Sequence, residues 1–169
     1  QNARGQLVPA QLAPSRLLDS KNLYAELHWV LPSLKAGEAT HFTATIGPRD
    51  RAVGRVSSEY SWRDVPGRHA DIFWGDRAVV RYMYRAYQDD PAKRDLDNKP
   101  FHHVFDPSGN RLLTKGTGGL YTHHQGLYYG FTRCNWDGGS CNTWYCHEGE
   151  HELHRTVLSQ EQGPVMARH

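Results

Sequence analysis

The sequence predicts an all-β fold, an antiparallel β-sandwich with long loops that carry histidines. Short runs rich in β-branched and aromatic residues recur along the chain, separated about every 8 to 12 residues by turn signals such as Pro66-Gly67, Gly75-Asp76 and Asp106–Gly109. No window of about a dozen residues carries an apolar stripe with the period of a helix. The 169 residues leave room for about one domain of this class.

Two strands are predicted near the start of the chain. Leu23–Leu31 is rich in apolar and aromatic residues and stops at Pro32, which cannot donate to a ladder. His41–Ile46 alternates polar and apolar side chains with the period of a strand and ends at Gly47-Pro48. The charged stretch 48–56 that follows is expected to be a loop.

Three strands are predicted in the middle of the chain. Glu59–Val65 and Ala70–Trp74 are aromatic and lie on either side of a Pro-Gly turn. Ala78–Tyr87 is rich in Val and Tyr, which are favoured in strands. Residues 88–99 are charged and have no periodicity, which indicates a long loop.

Two further strands are predicted beyond this loop. His103–Phe105 is brief, because a strong Asp-Pro-Ser-Gly turn signal follows it. The glycine-rich stretch Gly116–Gly119 is expected to be a loop, and the aromatic stretch Gly126–Arg133 is expected to return to strand.

Composition and charge exclude several classes of protein. Hydrophobic residues make up 38% and charged residues 22% of the chain, which excludes a disordered tail, a collagen-like fibre and a coiled coil. The net charge is +2 and no stretch concentrates the basic residues, so no nucleic-acid or anionic membrane partner is indicated. No apolar run approaches the roughly 18 residues that a membrane span needs.

The two ends of the sequence predict export and further structure. The chain starts at Gln1 rather than Met, as a periplasmic or secreted protein does once its signal peptide is removed. Residues 1–22 are polar and lead into a single sandwich domain predicted over residues 23–169. The sequence stops where a loop is expected, which predicts either a second polypeptide that completes the sandwich or a homo-oligomer.

A series of sequence blocks in fixed order resembles one known family. The blocks are Arg81–Tyr84, Lys99–Pro107, His123–Tyr128, Thr143–Cys146 and Gly149–His151, with Trp29–Pro32 and Leu34–Gly37 before them. The series resembles the bacterial PmoA-like family, whose members are often labelled methane oxygenase although no activity is established for them. The resemblance runs from about residue 23 onward and implies that this chain is the N-terminal half of a larger β-sandwich.

The chain also departs from the family pattern. The second paired-histidine block continues with Arg in the family, whereas Gln125 stands here, and Cys141 and His147 are not family positions. The label implies no methane chemistry for this chain, because particulate methane monooxygenase is a membrane complex and no membrane span is present.

Paired histidines are the first candidate site. Neighbours in a strand point to opposite faces, so at most one residue of His102-His103 and one of His123-His124 can face a common site. Converging imidazoles suit copper or zinc, or they can hydrogen-bond sugar hydroxyls while aromatic rings stack on the sugar. The alternative is that they brace loops through backbone hydrogen bonds. The candidate ligand-binding residues are His102, His103, His123, His124, Tyr128 and Trp136.

A cysteine- and histidine-rich segment is the second candidate site. Cys141, Cys146 and His147 form a Cys-x4-Cys-His variant of the haem c attachment signal. Alternatively, Cys146, His147, His151 and His154 could hold copper or zinc. The His-Glu-x-x-His pattern at His147 needs a helix to act as a zinc protease site, and Gly149 argues against that helix.

A disulfide is the structural alternative for the same segment. An exported chain with three cysteines leaves one unpaired. A bond of Cys134 to Cys141 or to Cys146 would close the Gly138-Gly139 loop.

Three functional hypotheses follow in this order. The first is binding of, or action on, a carbohydrate-like ligand in a cleft of histidine and aromatic side chains. The PmoA-like resemblance implies it, since such families occur in polysaccharide-degrading bacteria, and the composition agrees. The second is a c-type haem electron carrier, and the third is a copper or zinc site in the His/Cys cluster.

Overall fold

The computed structural model describes residues 1–2, 5–14, 25–31, 33–47 and 58–169. These residues form antiparallel strands and, among the described residues, a single short helix, so the predicted all-β class is confirmed. The sandwich arrangement stays a prediction. Pro32, the predicted loop 48–56 and the first two residues of the predicted strand Leu23–Leu31 lie outside the described residues.

The described residues contain ten strands and one helix. In chain order they are β1 (Ala10–Pro14), β2 (Ala25–Trp29), β3 (Tyr60–Val65), β4 (His69–Trp74), β5 (Arg77–Met83), α1 (Arg94–Asp97), β6 (Phe101–Val104), β7 (Cys134–Trp136), β8 (Gly139–Cys141), β9 (Glu161–Gln162) and β10 (Ala167–Arg168).

The chain forms two compact units, one from residues 1–60 and 159–169 and the other from residues 61–158. In the first unit β1 pairs antiparallel with β2, and β9 pairs antiparallel with β10. The Arg168 guanidinium joins these ladders, because it lies 2.8 Å from the Glu26 carboxylate and 3.0 Å from that of Glu161.

The predicted strand at His41–Ile46 is wrong. Only Phe42 of this stretch forms a β-bridge, with Asn2, and the rest is irregular. The side chains alternate as in a strand, but a strand also needs a hydrogen-bonded partner along its whole length. Among the described residues, only Asn2 pairs with this stretch.

The second unit is built on one sheet with the strand order β3-β4-β5-β6. Its register places Asp71 beside Arg81 and Arg81 beside His103, while Tyr82 pairs with His102. Since side chains alternate along a strand, the two histidines leave β6 on opposite faces. The sheet therefore has one face that carries Tyr82 and His102 and another that carries Arg81 and His103.

The stretches that flank this sheet differ from the sequence predictions. Helix α1 lies inside the predicted loop 88–99. In the predicted strand Gly126–Arg133 only Leu127 forms a bridge, to His102. Gly126 has a φ of +42° and its backbone approaches the His102 carbonyl too closely for any Cβ, so the chain turns here instead of continuing a ladder.

Beyond Gly126 the chain forms a short hairpin from β7 and β8. Asp137-Gly138 forms its turn, with a φ of +90° at Gly138. Asp-Gly between short runs is a strong hairpin signal, so the hairpin replaces the loop predicted at Gly138-Gly139. Within the described residues, no helix has the length and apolar character needed to cross a membrane.

Candidate functional site

Strand β6 and the two residues before it place their side chains alternately in two cavities. Pro100 and His102 line an open cleft on one face of the sheet, whereas Lys99, Phe101 and His103 line a small pocket on the other. The paired histidines are thus split between two sites, as strand alternation predicts.

The first cavity, which we call the aromatic cleft, has a volume of about 480 Å³. It lies wholly in the second unit. Strands β5 and β6 and the segments around residues 128 and 152 form its walls. Its lining residues are Tyr82, Pro100, His102, Leu127, Tyr128, Tyr129, Glu152 and Leu153.

The aromatic cleft is bordered by a group of contacting rings. The ring centroids of Tyr82 and His102 lie 4.8 Å apart, and those of Tyr84 and His154 also lie 4.8 Å apart. The Tyr82 hydroxyl shares a hydrogen bond of 3.1 Å with His154 Nδ1. Burial lowers the pKa of His102, so this imidazole is neutral near pH 7.

Tyr128 forms the inner wall of the aromatic cleft. The Lys99 ammonium lies 4.3 Å from its ring centroid, and the Trp144 ring lies 5.3 Å away on centroids. Lys99 Nζ also donates hydrogen bonds to the carbonyls of Thr143 (3.0 Å) and Trp144 (2.6 Å), which fix its position. The Tyr128 hydroxyl is buried and makes no hydrogen bond, so it has both a donor and an acceptor to offer.

Glu152 supplies the carboxyl group of the aromatic cleft. Its backbone N–H donates to the Asn98 carbonyl at 2.9 Å, which fixes the segment beside β6. Burial raises the pKa of the Glu152 carboxyl, and a hydrogen bond with Thr143 and the charge of Lys99 oppose that rise. The cleft therefore combines aromatic rings with one acidic group whose proton is held more tightly than usual.

The second cavity, which we call the polar pocket, has a volume of about 110 Å³. His103 is buried in its wall, and its Nδ1 shares a 2.9 Å hydrogen bond with Thr114 Oγ1. Burial, with the nearby charge of Arg81, lowers the pKa of His103. The lining residues are Met83, Arg85, Leu96, Asp97, Lys99, Phe101, His103, Gly116 and Thr117.

The other predicted histidine pair belongs to neither cavity. His123 contacts His124, with ring centroids 4.2 Å apart, and also Tyr145 at 4.7 Å and His147 at 6.2 Å. Lys115 Nζ holds the preceding loop by donating to several of its carbonyls, including that of His124 at 3.1 Å. This pair therefore sits in a braced loop, which is the arrangement expected if the histidines serve structure.

Gln125, which follows the second histidine pair, is fully buried. Gln125 donates from Nε2 to the Asp95 carbonyl at 2.7 Å and to that of Thr122 at 3.2 Å. It thus ties the histidine loop to helix α1.

The four predicted metal ligands have different partners. Cys146 is fully buried, and its sulfur donates to the Thr143 carbonyl at 3.3 Å. His147 stacks near Tyr145, His151 stacks on Tyr87 with centroids 3.9 Å apart, and His154 bonds to Tyr82. In the part of the chain that the structure describes, no three His, Cys, Asp or Glu residues are arranged to hold a metal ion.

The predicted haem residues and Trp136 lie in and after the β7–β8 hairpin. Cys141 is paired in register with Cys134, while Cys146 is 0% exposed. Trp136 is 58% exposed and covers Gly139, where any added Cβ would meet its indole ring. It does not line the aromatic cleft, although Tyr128, the other predicted aromatic, does.

Sequence reasoning missed several residues that line the two cavities. Tyr82 lies in a sequence block that carries the family resemblance, but its role depends on register with His102. Glu152 and Asp97 carry no local motif, and only the chain path brings them to β6.

Comparison with known proteins identifies one family. A family of unknown function, DUF6807, matches residues 69–169, which is more than half of the chain and includes all residues that line both cavities. Comparison with curated proteins and with solved structures finds no match. The chain therefore belongs to the DUF6807 family of proteins of unknown function.

Proposed function

We propose that this protein binds a carbohydrate-like ligand in the aromatic cleft. The observation that carries the proposal is the union, in one open cleft of about 480 Å³, of exposed aromatic surface, a carboxyl group and a hydroxyl that lacks a partner. Cavities of this size accept small ligands, and orientation within them comes from a few placed polar groups.

Tyr129 provides the stacking surface in this proposal. Its side chain is 80% exposed at the rim, and the apolar side chains of Leu127 and Leu153 are exposed beside it. The apolar face of a sugar can cover this exposed ring without displacing other side chains. The apolar area that is covered contributes favourably to the free energy of binding.

Tyr128 and Glu152 provide the polar contacts. A sugar hydroxyl that reaches the Tyr128 oxygen would satisfy a buried group that otherwise makes no hydrogen bond. The Glu152 carboxyl accepts hydrogen bonds when ionised and donates one when protonated. A ligand rich in hydroxyls suits both groups, because each hydroxyl can donate and accept.

The lining of the cleft favours binding over glycoside hydrolysis. Most glycoside hydrolases use two carboxyl groups on either side of the bond they cleave. Glu152 is the one acidic residue among the residues that line the aromatic cleft. Its raised pKa suits a general acid, but no second carboxyl in the lining is available as nucleophile or base.

The alternative functions have less support. A haem c attached at Cys141 and Cys146 would need a sulfur that is fully buried. A copper or zinc site at Cys146, His147, His151 and His154 would need residues that contact different partners to converge. Export to the periplasm or medium, membership of the PmoA-like group and a partner that completes a sandwich stay predictions.

Saturation-transfer NMR with the full chain tests the proposal. The probes are the methyl glycosides of glucose, galactose, mannose and xylose, and the disaccharide cellobiose. We expect at least one to bind, and Tyr129→Ala to weaken binding about fivefold through loss of ring contact. Trp136→Ala is the matched control, since it removes another exposed aromatic that lies outside the cleft. Equal losses in the two variants, or no transfer to any probe, would contradict the proposal.

A further inference from the structure

The polar pocket carries an inference that does not depend on the aromatic cleft. It opens on the other face of strand β6, and the two cavities share no lining residue. It contains a buried carboxylate oxygen with no hydrogen-bond partner, Oδ1 of Asp97. The Asp97 side chain is only 5% exposed, and the nearest cation, Arg85 Nη1, lies 3.9 Å from this oxygen, beyond hydrogen-bond distance.

A buried carboxylate oxygen that accepts no hydrogen bond favours a ligand that can donate one. Leaving it unmet is costly, because a buried charge loses its hydration. The Cε1–Nε2 edge of His103, which also lines the pocket, faces Gly116, while Thr114 holds the other ring nitrogen. The pocket thus presents an acceptor from Asp97, donors from Arg85 and a second imidazole nitrogen from His103.

Charge disfavours two classes of ligand, the anions less strongly because Arg85 and Lys99 offset part of the charge of Asp97. An ammonium group would bring a third positive charge close to Arg85 and Lys99, both of which line the pocket. A carboxylate or phosphate would lie against the buried carboxylate of Asp97. A neutral group that both donates and accepts avoids both penalties, and hydroxyls have that property.

Size narrows the choice further. The pocket volume of about 110 Å³ compares with roughly 10–15 Å³ for a single water on the same measure. It therefore accepts roughly seven to eleven heavy atoms, which fits a small ring or a short polyol and not a disaccharide. The apolar walls of Met83, Leu96 and Phe101 suit the carbon atoms that join the hydroxyls.

We propose that the polar pocket is a second binding site, for one neutral vicinal diol, such as the edge of a sugar ring or a short polyol. One hydroxyl donates to Asp97 Oδ1, and its neighbour bonds to Arg85 and His103 Nε2. The carbon edge of the diol packs against Leu96 and Phe101.

Four ring compounds of one size test this inference by NMR. They are cis-cyclohexane-1,2-diol, cyclohexanol, cyclohexylammonium and cyclohexanecarboxylate. The readout is the imidazole Hε1 resonance of His103, with that of His102 as a reference for the aromatic cleft. We expect the diol to shift the His103 resonance in a saturable manner, and to bind at least fivefold more tightly than each of the other three compounds.

Two variants separate the pocket from general effects. Asp97→Asn should weaken diol binding at least fivefold, whereas Asp95→Asn, the same change at a residue of helix α1 that does not line the pocket, should not. Gly116→Ala should also weaken it, because the new methyl would lie 3.7 Å from His103 Cε1 inside the pocket. This contact is ordinary, and the φ of Gly116 is not in the left-handed region, so the variant is expected to fold.

Three results would overturn the inference. The first is that the diol does not shift the His103 resonance. The second is that cyclohexanol or a charged compound binds as tightly as the diol, and the third is that the Asp97 and Gly116 variants bind the diol as tightly as the parent protein does. A shift of His102 alone would also overturn it and would at the same time support ligand binding in the aromatic cleft. Failure of the methyl glycosides to bind the cleft leaves this test intact, since the two sites are read at different histidines.

Discussion

Tyr82 and His102 face each other across the β5–β6 ladder, with ring centroids 4.8 Å apart. The contact joins two residues that lie 20 positions apart in the sequence, and it forms one border of the aromatic cleft. It depends on the register of the antiparallel ladder, since a shift by one residue would place Phe101 or His103 opposite Tyr82 and move His102 to the other face of the sheet.

Because His102 contacts Tyr82 at the border of the aromatic cleft, ligand binding there depends on His102 and not on its neighbour His103. We expect His102→Ala to weaken binding of a methyl glycoside by about tenfold, through loss of one wall of the cleft. His103→Ala should change it by less than twofold, because His103 lines the other cavity. Titration of both variants by NMR checks this, and a larger loss in His103→Ala would place the ligand elsewhere.

The buried histidines predict a loss of stability in acid. Burial holds the pKa values of His102 and His103 below the usual histidine value of 6.5, so the unfolded chain binds these protons more readily than the folded chain does. Their contribution is therefore present above pH 6.5 and is lost as the pH falls toward the lowered pKa values of the folded state. In urea unfolding across this pH range, the free energy of unfolding should fall less steeply with decreasing pH in His102→Gln than in the parent protein. An identical pH dependence in the two proteins would mean that this imidazole is solvated.

Glu152 predicts the opposite dependence. Its pKa is raised in the folded state, so the folded chain holds this proton more tightly and stability falls as the pH rises above the usual glutamate value of 4.5. Glu152→Gln removes the titration while it keeps the shape of the side chain. The stability of the variant relative to the parent should increase from below pH 4.5 to neutral pH. A relative stability that stays constant with pH would show that Glu152 is not buried in solution.

The opposite face of the sheet depends on an ion pair. Arg81 donates two hydrogen bonds to the Asp71 carboxylate, at 2.7 and 2.8 Å, and Asp71 is buried. Arg81→Met should lower the free energy of unfolding by about 2 kcal/mol, since it leaves a buried charge without its partner. Arg63→Met is the control, because its contact with Asp76 is long and exposed. Equal costs in the two variants would show that the Asp71 pair contributes little.

The hairpin predicts which cysteines pair. Cys134 and Cys141 are direct cross-strand partners in the β7–β8 ladder, a spacing that allows a disulfide, whereas Cys146 is buried elsewhere. Under oxidising conditions the intact mass should fall by two hydrogens, and peptide mapping should join Cys134 to Cys141. A mass one haem above 19.3 kDa in protein from its native source would instead support the haem alternative.

Features that depend on neighbouring residues could be predicted from the sequence, whereas contacts between distant segments could not. Alternation in Lys99–Pro107 correctly predicted that His102 and His103 diverge, because it depends only on neighbouring residues. The Asp137-Gly138 turn was also readable, although the sequence analysis missed the hairpin. The arrival of Leu127 and Glu152 beside β6 could not be predicted, since it depends on turns many residues away.

The same limit explains the wrong strand at His41–Ile46. Its side chains alternate as in a strand, yet strand formation requires a partner that local pattern does not reveal. The candidate site could not be predicted for the same reason, because strand register and chain path bring Tyr82 and Asp97 to their cavities.

We propose that a sugar ring lies against the aromatic cleft, and side-chain NMR of the protein during a cellobiose titration tests this binding. With tyrosine, histidine and tryptophan rings labelled, the resonances of Tyr129 and His102 should shift together along one binding curve. The Trp136 and His124 resonances should stay in place, because neither residue lines the cleft. Shifts confined to Trp136 or His124 at saturating cellobiose, with Tyr129 and His102 unmoved, would contradict the account.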